Sequence, residues 1–254
     1  MNISDLKVVV TGAASGMGRH FVEQLLSDGA SVSAWDMNFV ELERFASCIN
    51  TTRLHIAHVD VSKEEDVCRA MKDAWNRFDG LNGLINNAGI FRDSLLVKKD
   101  RMTGEIKKMS LDRWQTVLDV DLTGPFLCTR ELSARLVKAG GIQPAVIVQI
   151  SSISKAGNIG QSNYSAAKAA LIADTVTWAK ELARYKIRVA AIAPGFVHTP
   201  ILEGMRPEMI DKMLEQVPLR RLGQPEEIYA GLKFIFECDY FTGRCLDIDG
   251  GLRL

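Results

Sequence analysis

Short runs of β-branched and other apolar residues alternate with longer segments of helical period along the whole chain. This alternation predicts a parallel sheet covered by helices, because parallel strands need long crossover connections. The runs are rich in Val and Ile with few polar alternations, which is typical of strands buried on both faces. The predicted strands are Val8–Thr11, Ala30–Trp35, Leu54–Val59, Gly83–Asn86, Ala145–Ile150, Arg188–Ala193 and Cys245–Ile248.

The segments between these runs predict the covering helices. Amphipathic stretches occur at His20–Ser27, Glu64–Arg77, Leu111–Arg130 and Tyr164–Tyr185. The 254 residues show no internal repeat, low-complexity tract or linker, and their number suits one large domain. We therefore predict a single α/β domain over residues 1–254, a doubly wound Rossmann fold whose seven-stranded parallel sheet carries helices on both faces.

Two polar stretches interrupt the alternation. Leu95–Met109 has a turn signal at Thr103-Gly104, and Pro200–Pro218 is typical of a loop with a short helix. Long segments of this kind inside a compact domain are often lids or binding loops. Variable surface elaborations are the alternative explanation, and the sequence leaves both open.

The charge balance and the cysteines exclude several classes of function. Lys+Arg and Asp+Glu each total 31, so the formal charge is zero and no nucleic-acid partner is expected. The five cysteines are scattered without a CxxC pair, which indicates reduced thiols and neither disulfides nor a metal site. The N-terminus lacks a secretory signal pattern, and no apolar run approaches the roughly 20 residues that span a bilayer. We expect a cytoplasmic protein with no membrane partner.

The first predicted strand runs into a glycine-rich segment, TGAASGMG, from Thr11 to Gly18. Glycines let the chain turn tightly and approach a pyrophosphate, and the following helix offers its N-terminal amides to the phosphates. The spacing differs from the general GxGxxG pattern, and a tight turn without a ligand is the alternative. The position between a strand and a helix favours a dinucleotide site. Its candidate contacts are Gly12, Ser15, Gly16, Met17 and Gly18.

The second predicted strand is followed directly by an acidic residue, Asp36. A carboxylate at this place can accept hydrogen bonds from the ribose hydroxyls of NAD and repels the 2′-phosphate of NADP. No Arg or Lys precedes Gly16 in the glycine-rich segment, and none directly follows Asp36. A simple turn residue is the alternative, but the pattern favours NAD as the cofactor.

Tyr164 and Lys168 lie four residues apart in a predicted helix and therefore share one face. An ammonium beside a phenol stabilises the phenolate and lowers its pKa from about 10. A serine at the end of the preceding strand, Ser151 or Ser152, can hydrogen-bond a substrate carbonyl oxygen. A YxxxK pattern alone is common on exposed helices. Its combination with the dinucleotide pattern indicates acid–base chemistry on a carbonyl or an alcohol.

The order of these motifs resembles that of the short-chain dehydrogenase/reductase family, over essentially the whole chain. The matching motifs are TGxxxGxG from Thr11, Asp60-Val61, NNAG from Asn86, Ser151-Ser152, YxxxK from Tyr164 and PGxxxT from Pro194. Several independent motifs in one order are far more specific than any one of them.

The resemblance implies a role for each motif. Tyr164 would be the acid in carbonyl reduction and the base in alcohol oxidation. Lys168 would hold the nicotinamide ribose and lower the pKa of Tyr164, while Ser152 would orient and polarise the substrate carbonyl. Besides Tyr164 and Lys168, the cofactor contacts would come from Asp60, Val61, Asn87, Ala88, Gly89, Pro194, Gly195, Val197 and Thr199.

The chain departs from the family pattern at two positions. Asp121 stands where the family has an asparagine that bends its helix and holds a water near the catalytic lysine. An aspartate is nearly isosteric, so we expect Asp121 to join the catalytic relay with its charge coupled to Lys168. The serine-to-tyrosine gap is one residue short, so counting back from Tyr164 selects Ser151, whereas strand register selects Ser152. A shortened loop reconciles the two, and we favour Ser152.

The substrate is less constrained than the reaction. The segments that begin at Ile90, Ser152 and Pro218 are most similar to those of β-ketoacyl-[acyl-carrier-protein] reductases, which implies an acyl-thioester substrate. An NAD-dependent 3-oxoacyl-thioester reductase or 3-hydroxyacyl dehydrogenase is therefore the first hypothesis. An NAD-dependent dehydrogenase of a polyol, sugar or cyclic alcohol is the second, and a catalytically weak cofactor sensor or scaffold is the third.

Two further expectations concern the surface. Leu95–Met109 departs from the short form of the family beside the expected mouth of the cleft, and we expect it to reshape substrate entry. The resemblance also implies a homotetramer in which Leu111–Arg130 and Tyr164–Tyr185 pack against their symmetry mates.

Overall fold

Seven parallel strands form the central sheet, and a two-stranded antiparallel hairpin lies apart from it. The structure, a computed structural model, describes residues 1–140, 143–199 and 207–254. The strands in these residues are β1 Lys7–Thr11, β2 Ser31–Asp36, β3 Leu54–His58, β4 Gly83–Asn86, β5 Val97–Lys99, β6 Ile106–Lys108, β7 Ala145–Ile150, β8 Ile187–Pro194 and β9 Cys245–Ile248.

The strand order of the sheet is β3-β2-β1-β4-β7-β8-β9, with every neighbouring pair parallel. The chain starts at the centre, runs to one edge, and returns past β1 to build the other half. The order therefore reverses between β1 and β4, and ligands of such sheets bind at the carboxyl ends of the strands beside this reversal. The predicted doubly wound sheet is confirmed, and each predicted strand end agrees with the structure to within one residue.

Helices cover both faces of this sheet. They are α1 Gly16–Ser27, α2 Phe39–Ser47, α3 Glu64–Phe78, α4 Leu111–Leu118, α5 Gly124–Lys138, α6 Ser162–Leu182, α7 Pro207–Leu214 and α8 Pro225–Glu237. Buried residues such as Phe21 and Leu42 pack α1 and α2 onto one face. Met71 and Leu132 do the same for α3 and α5 on the other face. Within the described ranges, no helix combines the length and the apolar character that crossing a bilayer requires.

The predicted helix Leu111–Arg130 is not continuous. It is divided by a π-helical turn, Asp119–Thr123, between α4 and α5. A π turn adds one residue to a helical turn and is frequent at functional sites. This turn contains Asp121, whose side chain is fully buried. Hydrophobic periodicity could not predict the interruption, because the apolar stripe continues across it.

The other predicted helices are confirmed with shifted ends. The helix predicted from His20 begins four residues earlier, at Gly16, because the last residues of the glycine-rich segment already form its first turn. The helix predicted at Tyr164–Tyr185 begins at Ser162, and its last residues, Ala183–Tyr185, form a tighter 3₁₀ turn.

The two polar stretches fold differently. Leu95–Met109 contains the antiparallel hairpin of β5 and β6, and its turn includes Gly104 with a φ of +71°. The sequence predicts that turn but not the lysine-rich strands, because Lys is depleted in strands. Within Pro200–Pro218 the predicted short helix is α7, and residues 200–206 lie outside the described residues.

Candidate active site

The glycine-rich segment forms a tight cradle at the carboxyl end of β1. Gly12 and Gly16 have φ angles of +66° and +53°, a region that L side chains rarely adopt. At Gly18 a Cβ atom would lie 2.0 Å from the Gly12 carbonyl oxygen and 2.5 Å from Asn87 Nδ2. These positions therefore need glycine, and the bare backbone leaves room for a ligand to approach closely.

The N-terminus of α1 opens onto this cradle. Ser15 precedes the helix, and its exposed side chain makes no capping hydrogen bond. The first amides of a helix have no intrahelical acceptor, so those after Ser15 can donate to an anion together with the serine hydroxyl. Met17 is partly buried and packs against the core. The cradle and its donors fit the pyrophosphate of a dinucleotide.

Asp36 ends β2 beside the cradle. Its Oδ2 accepts a hydrogen bond from the Ala14 amide at 2.9 Å, and its Oδ1 accepts one from the Asn38 amide at 2.8 Å. Each oxygen keeps a further lone pair, because a carboxylate can accept about four hydrogen bonds. The side chain is partly exposed, so it can accept bonds from vicinal hydroxyls of a sugar.

Thr11, at the end of β1, positions the NNAG segment. Its Oγ1 accepts hydrogen bonds from the amides of Asn87 and Ala88, each at 3.0 Å. Asn87 Nδ2 donates to the carbonyl oxygens of Thr11 and Gly12, at 3.0 and 3.1 Å. This role of Thr11 was not predicted from the sequence, although Thr11 belongs to the TG pair that begins the glycine-rich motif.

Gly89 lies against the centre of the site. A Cβ atom on it would stand 2.9 Å from Asp121 Oδ2 and 3.3 Å from Lys168 Nζ. The residue is exposed, so its backbone borders the open cleft. The NNAG segment therefore joins the glycine cradle to the residues with the candidate chemistry.

Asp60 and Val61 lie beyond the end of β3. Asp60 Oδ1 accepts bonds from the Ser62 amide at 3.0 Å and the Ser62 hydroxyl at 2.6 Å. Val61 is buried against Gly124, where a Cβ would meet its side chain at 2.9 Å. The loop is thus fixed at the sheet edge that also carries Asp36.

The PGxxxT motif follows β8 on the other side of the cleft. Gly195 passes Asp249 so closely that a Cβ on it would stand 2.7 Å from the Asp249 Cα. Pro194 and Val197 are buried, and Val197 forms an isolated parallel β-bridge with Gly223. A Cβ on Gly16 would lie 3.9 Å from the Thr199 side chain. The structure therefore brings Thr199 over the glycine cradle. The predicted cofactor residues outside α6 thus lie at or just after the carboxyl ends of β1, β2, β3, β4 and β8.

Tyr164 and Lys168 project from one face of α6. Lys168 Nζ lies 5.3 Å from the centre of the Tyr164 ring and donates a hydrogen bond to the Ile150 carbonyl oxygen at 3.1 Å. Both side chains are buried. The predicted pairing by helical spacing thus corresponds to a real contact.

The two candidate serines face different groups. Ser151 is buried, and its hydroxyl donates to the Lys168 carbonyl oxygen at 2.7 Å, which ties β7 to α6. Ser152 accepts a bond from the Ser154 amide at 3.1 Å and lies close enough to Tyr164 to stabilise its phenolate. The structure therefore places Ser152, rather than Ser151, beside the phenol.

Asp121 forms a buried ion pair with Lys168. The Oδ2–Nζ distance is 3.2 Å, and Oδ1 accepts a hydrogen bond from the Ile90 amide at 2.8 Å. The exposed fractions of the two side chains are 0% for Asp121 and 4% for Lys168. These contacts hold the segment after NNAG and the Lys168 ammonium, so Asp121 would act in the predicted relay through Lys168.

Burial and charge move the pKa values of this group in a definite direction. Burial raises the pKa of Tyr164 above its usual value, although the Lys168 ammonium acts in the opposite direction and lowers that pKa. The expected influence of Lys168 is present, but burial outweighs it. Burial acts to lower the pKa of Lys168, yet the adjacent Asp121 carboxylate keeps that pKa above its usual range.

Two neighbours of Tyr164 were not predicted from the sequence. The Phe91 ring lies 4.7 Å from the Tyr164 ring, centre to centre. Asn163 is fully buried. Its Oδ1 accepts a hydrogen bond from the Tyr164 amide at 2.9 Å, and its Nδ2 donates one to the Arg113 carbonyl oxygen at 3.0 Å. Asn163 adjoins the YxxxK motif and so had a signal in the sequence, whereas Phe91 had none.

Replacing Asp121 by asparagine is expected to shift the pH dependence of alcohol oxidation. The Asp121 charge raises the pKa of Tyr164, so removing the charge lowers that pKa. Oxidation needs the phenolate as base, and the acidic limb of the kcat profile therefore moves to lower pH. Asp119→Asn is the control, since Asp119 contacts Gln115 instead. An acidic limb that stays in place, or moves to higher pH, would contradict the coupling.

Comparison with known proteins tests the family resemblance that the sequence motifs indicate. A sequence profile of the family described as Enoyl-(Acyl carrier protein) reductase matches residues 12–253. A 3-oxoacyl-[acyl-carrier-protein] reductase of Synechocystis sp. is 35% identical, with 96% of this chain and 95% of that protein covered.

Solved structures extend the likeness to the fold. A 3-ketoacyl-(acyl-carrier-protein) reductase of Brucella melitensis, complexed with NADH, has a TM-score of 0.82 and 28% identity over 98% of both chains. A glucose/ribitol dehydrogenase of the same organism has a TM-score of 0.87 and 26% identity over 100% of both chains. The profile match, the relative of 35% identity and the shared fold show that this chain belongs to the short-chain dehydrogenase/reductase family.

Proposed function

We propose that this protein is an NAD(H)-dependent 3-oxoacyl-thioester reductase, which also oxidises the corresponding 3-hydroxyacyl thioester. The observation that carries the proposal is the buried Tyr164–Lys168–Asp121 group beside Ser152, at the end of a dinucleotide cradle. The similarity to 3-oxoacyl-[acyl-carrier-protein] reductases selects the thioester class.

The nicotinamide, when bound, supplies the hydride for the carbonyl carbon. The Ser152 hydroxyl orients the carbonyl oxygen, and the Tyr164 phenol gives that oxygen its proton. The Lys168 ammonium stabilises the resulting phenolate, because it lies beside the ring and both side chains are buried. Asp121 keeps Lys168 charged and in place. In oxidation the same groups act in reverse, with the Tyr164 phenolate as base.

Asp36 supports NAD over NADP. Its carboxylate would lie where the 2′-phosphate of NADP adds negative charge, and the basic residue that follows the cradle, Arg19, is engaged elsewhere. The Arg19 guanidinium lies 3.1 Å from Glu23 and 3.9 Å from Glu41, and 4.8 Å from the centre of the Phe45 ring. An arginine held in this way is a poor receptor for a further phosphate.

Replacing Asp36 by alanine is expected to reduce the ratio of kcat/KM with NADH to kcat/KM with NADPH. A hydrogen bond to a charged group contributes about 1.5–3 kcal/mol, so the ratio should fall by roughly tenfold or more. Steady-state rates with both cofactors measure it. Glu43→Gln, an exposed carboxyl on α2, is the control. An unchanged ratio would remove Asp36 from cofactor selection.

The direct test of the function is reduction of the acetoacetyl thioester of N-acetylcysteamine with NADH and with NADPH in parallel. We expect turnover with NADH, and none with the crotonyl thioester, which lacks a carbonyl at C3. Preference for NADPH would contradict the interpretation of Asp36. Turnover of the crotonyl thioester alone would favour the enoyl reductase named in the family description.

A dehydrogenase of polyols or sugars is the second candidate, since one structural neighbour is named a glucose/ribitol dehydrogenase. The same catalytic group would serve this reaction, with Tyr164 as base. The absence of thioester turnover, together with NAD reduction by a polyol at alkaline pH, would establish this candidate in place of the first.

We further propose a cytoplasmic homotetramer. The free thiols of all five cysteines agree with a reducing compartment. Phe126 on α5 is 42% exposed, which suits a helix face that packs against a symmetry mate. Sedimentation velocity should show a species of four times the 28.1 kDa chain mass. A species of the chain mass at micromolar concentration would exclude the tetramer.

A further inference from the structure

The hairpin segment Leu95–Met109 carries an excess of positive charge. It has five basic residues and two acidic residues, a net charge of +3, whereas the whole chain is neutral. We name this segment the basic hairpin. Its charge is therefore local, and other parts of the surface balance it.

The two faces of the basic hairpin differ. Lys98 and Lys107 are paired across the strands and share one face, where Lys107 Nζ lies 3.5 Å from Asp100 and 3.9 Å from Glu105. Like charges directly opposite each other destabilise a strand pair. The two carboxylates compensate the charge of Lys107 and reduce that repulsion, whereas Lys98 forms no ion pair with any described residue.

The other face has no such compensation. Lys108 lies opposite Val97, and Lys99 lies opposite Ile106, which puts these four side chains on one face. In the part of the chain that the structure describes, Lys99 and Lys108 form no ion pair. Val97 and Ile106 are each 55% exposed. This face thus combines two uncompensated cations with two apolar side chains.

The base of the basic hairpin lies at the catalytic helix. The Ser94 amide donates to the Gly160 carbonyl oxygen at 2.8 Å, and Gln161 donates to Asp93 at 3.0 Å. Gly160 and Gln161 directly precede α6, whose first turn contains Tyr164. An open apolar depression of about 300 Å³, lined in part by Leu96 and Trp114, adjoins the base. A molecule docked on the basic hairpin would be held beside the entrance to the active site.

We propose that the basic hairpin docks an acidic carrier protein, which presents its thioester-linked acyl group to Tyr164. This inference rests on the proposed thioester function. The two uncompensated lysines can form ion pairs with carboxylates of a partner. The exposed Val97 and Ile106 can pack against apolar side chains that lie between those carboxylates. A free phosphate ligand would leave these apolar side chains exposed. The surface of an acidic protein satisfies both requirements, and complementary charge increases the association rate.

The test is the double variant Lys99→Glu/Lys108→Glu, assayed on one acyl group with three carriers. The acetoacetyl group is supplied on an acidic acyl carrier protein, on coenzyme A and on N-acetylcysteamine. The control Lys72→Glu/Lys138→Glu makes the same charge change at exposed positions of α3 and α5. Lys138 ends α5 near the start of β7, at the opposite edge of the sheet from the active site.

We expect the double variant to lose at least about tenfold in kcat/KM with the carrier protein, while the other two thioesters keep their rates. The wild-type rate with the carrier protein should also fall with added salt. An equal loss with the coenzyme A thioester would mean that the lysines bind phosphates, and would overturn the docking of a protein. Equal rates of double variant, control and wild type on the carrier protein would also overturn it. Wild-type turnover of none of the three thioesters would instead refute the proposed function itself.

Discussion

Tyr164→Phe is expected to lower kcat for acetoacetyl-thioester reduction by about 10²- to 10⁴-fold, the usual contribution of a positioned general acid or base. The substitution removes the phenolic oxygen and retains the ring, so the contact with Phe91 at 4.7 Å stays in place. NADH binding, measured by its fluorescence, should change little. Loss of kcat without loss of cofactor binding would assign the proton transfer to Tyr164.

Tyr229→Phe is the matched control. The Tyr229 hydroxyl donates to Asp28 at 2.9 Å, and Tyr229 lies on α8, outside the cleft. This variant should keep kcat within about twofold, although the lost hydrogen bond removes about 0.5–1.5 kcal/mol of stability, or somewhat more for a charged acceptor. A Tyr164→Phe enzyme that retained a similar kcat would refute the role of the phenol.

Lys168→Met is expected to affect both stability and catalysis. It leaves the Asp121 carboxylate buried without its partner at 3.2 Å, and breaking a buried ion pair costs about 3–5 kcal/mol. It also removes the ammonium that stabilises the Tyr164 phenolate, so kcat should fall by about 10²-fold or more. Urea unfolding measures the first effect, and initial rates measure the second.

The double variant Lys168→Met/Asp121→Asn separates the two effects. It removes both charges, so the free energy of unfolding should recover much of the loss, because no uncompensated charge stays buried. The kcat should not recover, because the ammonium is still absent. Recovery of kcat along with stability would show that Lys168 has a structural role alone. Failure to recover stability would contradict the ion pair as the source of the loss.

The strands of the central sheet could be predicted because each has an unbroken apolar pattern. Val8–Thr11 and Ala145–Ile150 are buried on both faces, as their composition predicts, and their ends agree with the structure to within one residue. The spacing of Tyr164 and Lys168 likewise determines their shared helix face. Such features depend on residues that are close together in the sequence, so one sequence is enough to predict them.

Features that depend on tertiary contacts were not predictable. The π turn at Asp119–Thr123 interrupts a helical pattern that shows no break. The family resemblance predicts the coupling of Asp121 to Lys168, which the structure shows as an ion pair, but the hydrogen bond from the Ile90 amide to Asp121 was not predictable. Strand register already favours Ser152 over Ser151, and the fold adds the physical reason, because the Ser151 hydroxyl donates to the Lys168 carbonyl oxygen.

The basic hairpin shows a further limit of sequence patterns. Its strands have three residues each and are rich in Lys, so neither length nor composition predicts them. The turn at Gly104 was predictable, because glycine readily adopts a positive φ. Only the strand register reveals that Lys99 and Lys108 share a face with Val97 and Ile106.

The proposed reaction transfers a hydride from NADH to the carbonyl carbon of a 3-oxoacyl thioester. The most direct measurement is incubation with NADH that carries deuterium at both C4 positions of the nicotinamide and with acetoacetyl N-acetylcysteamine. Mass spectrometry and NMR of the product then locate the label. We predict one deuterium at C3 of the 3-hydroxybutyryl thioester, and its loss in the Tyr164→Phe enzyme. A reduced product without deuterium at C3, or no reduced product, would contradict the proposed reaction.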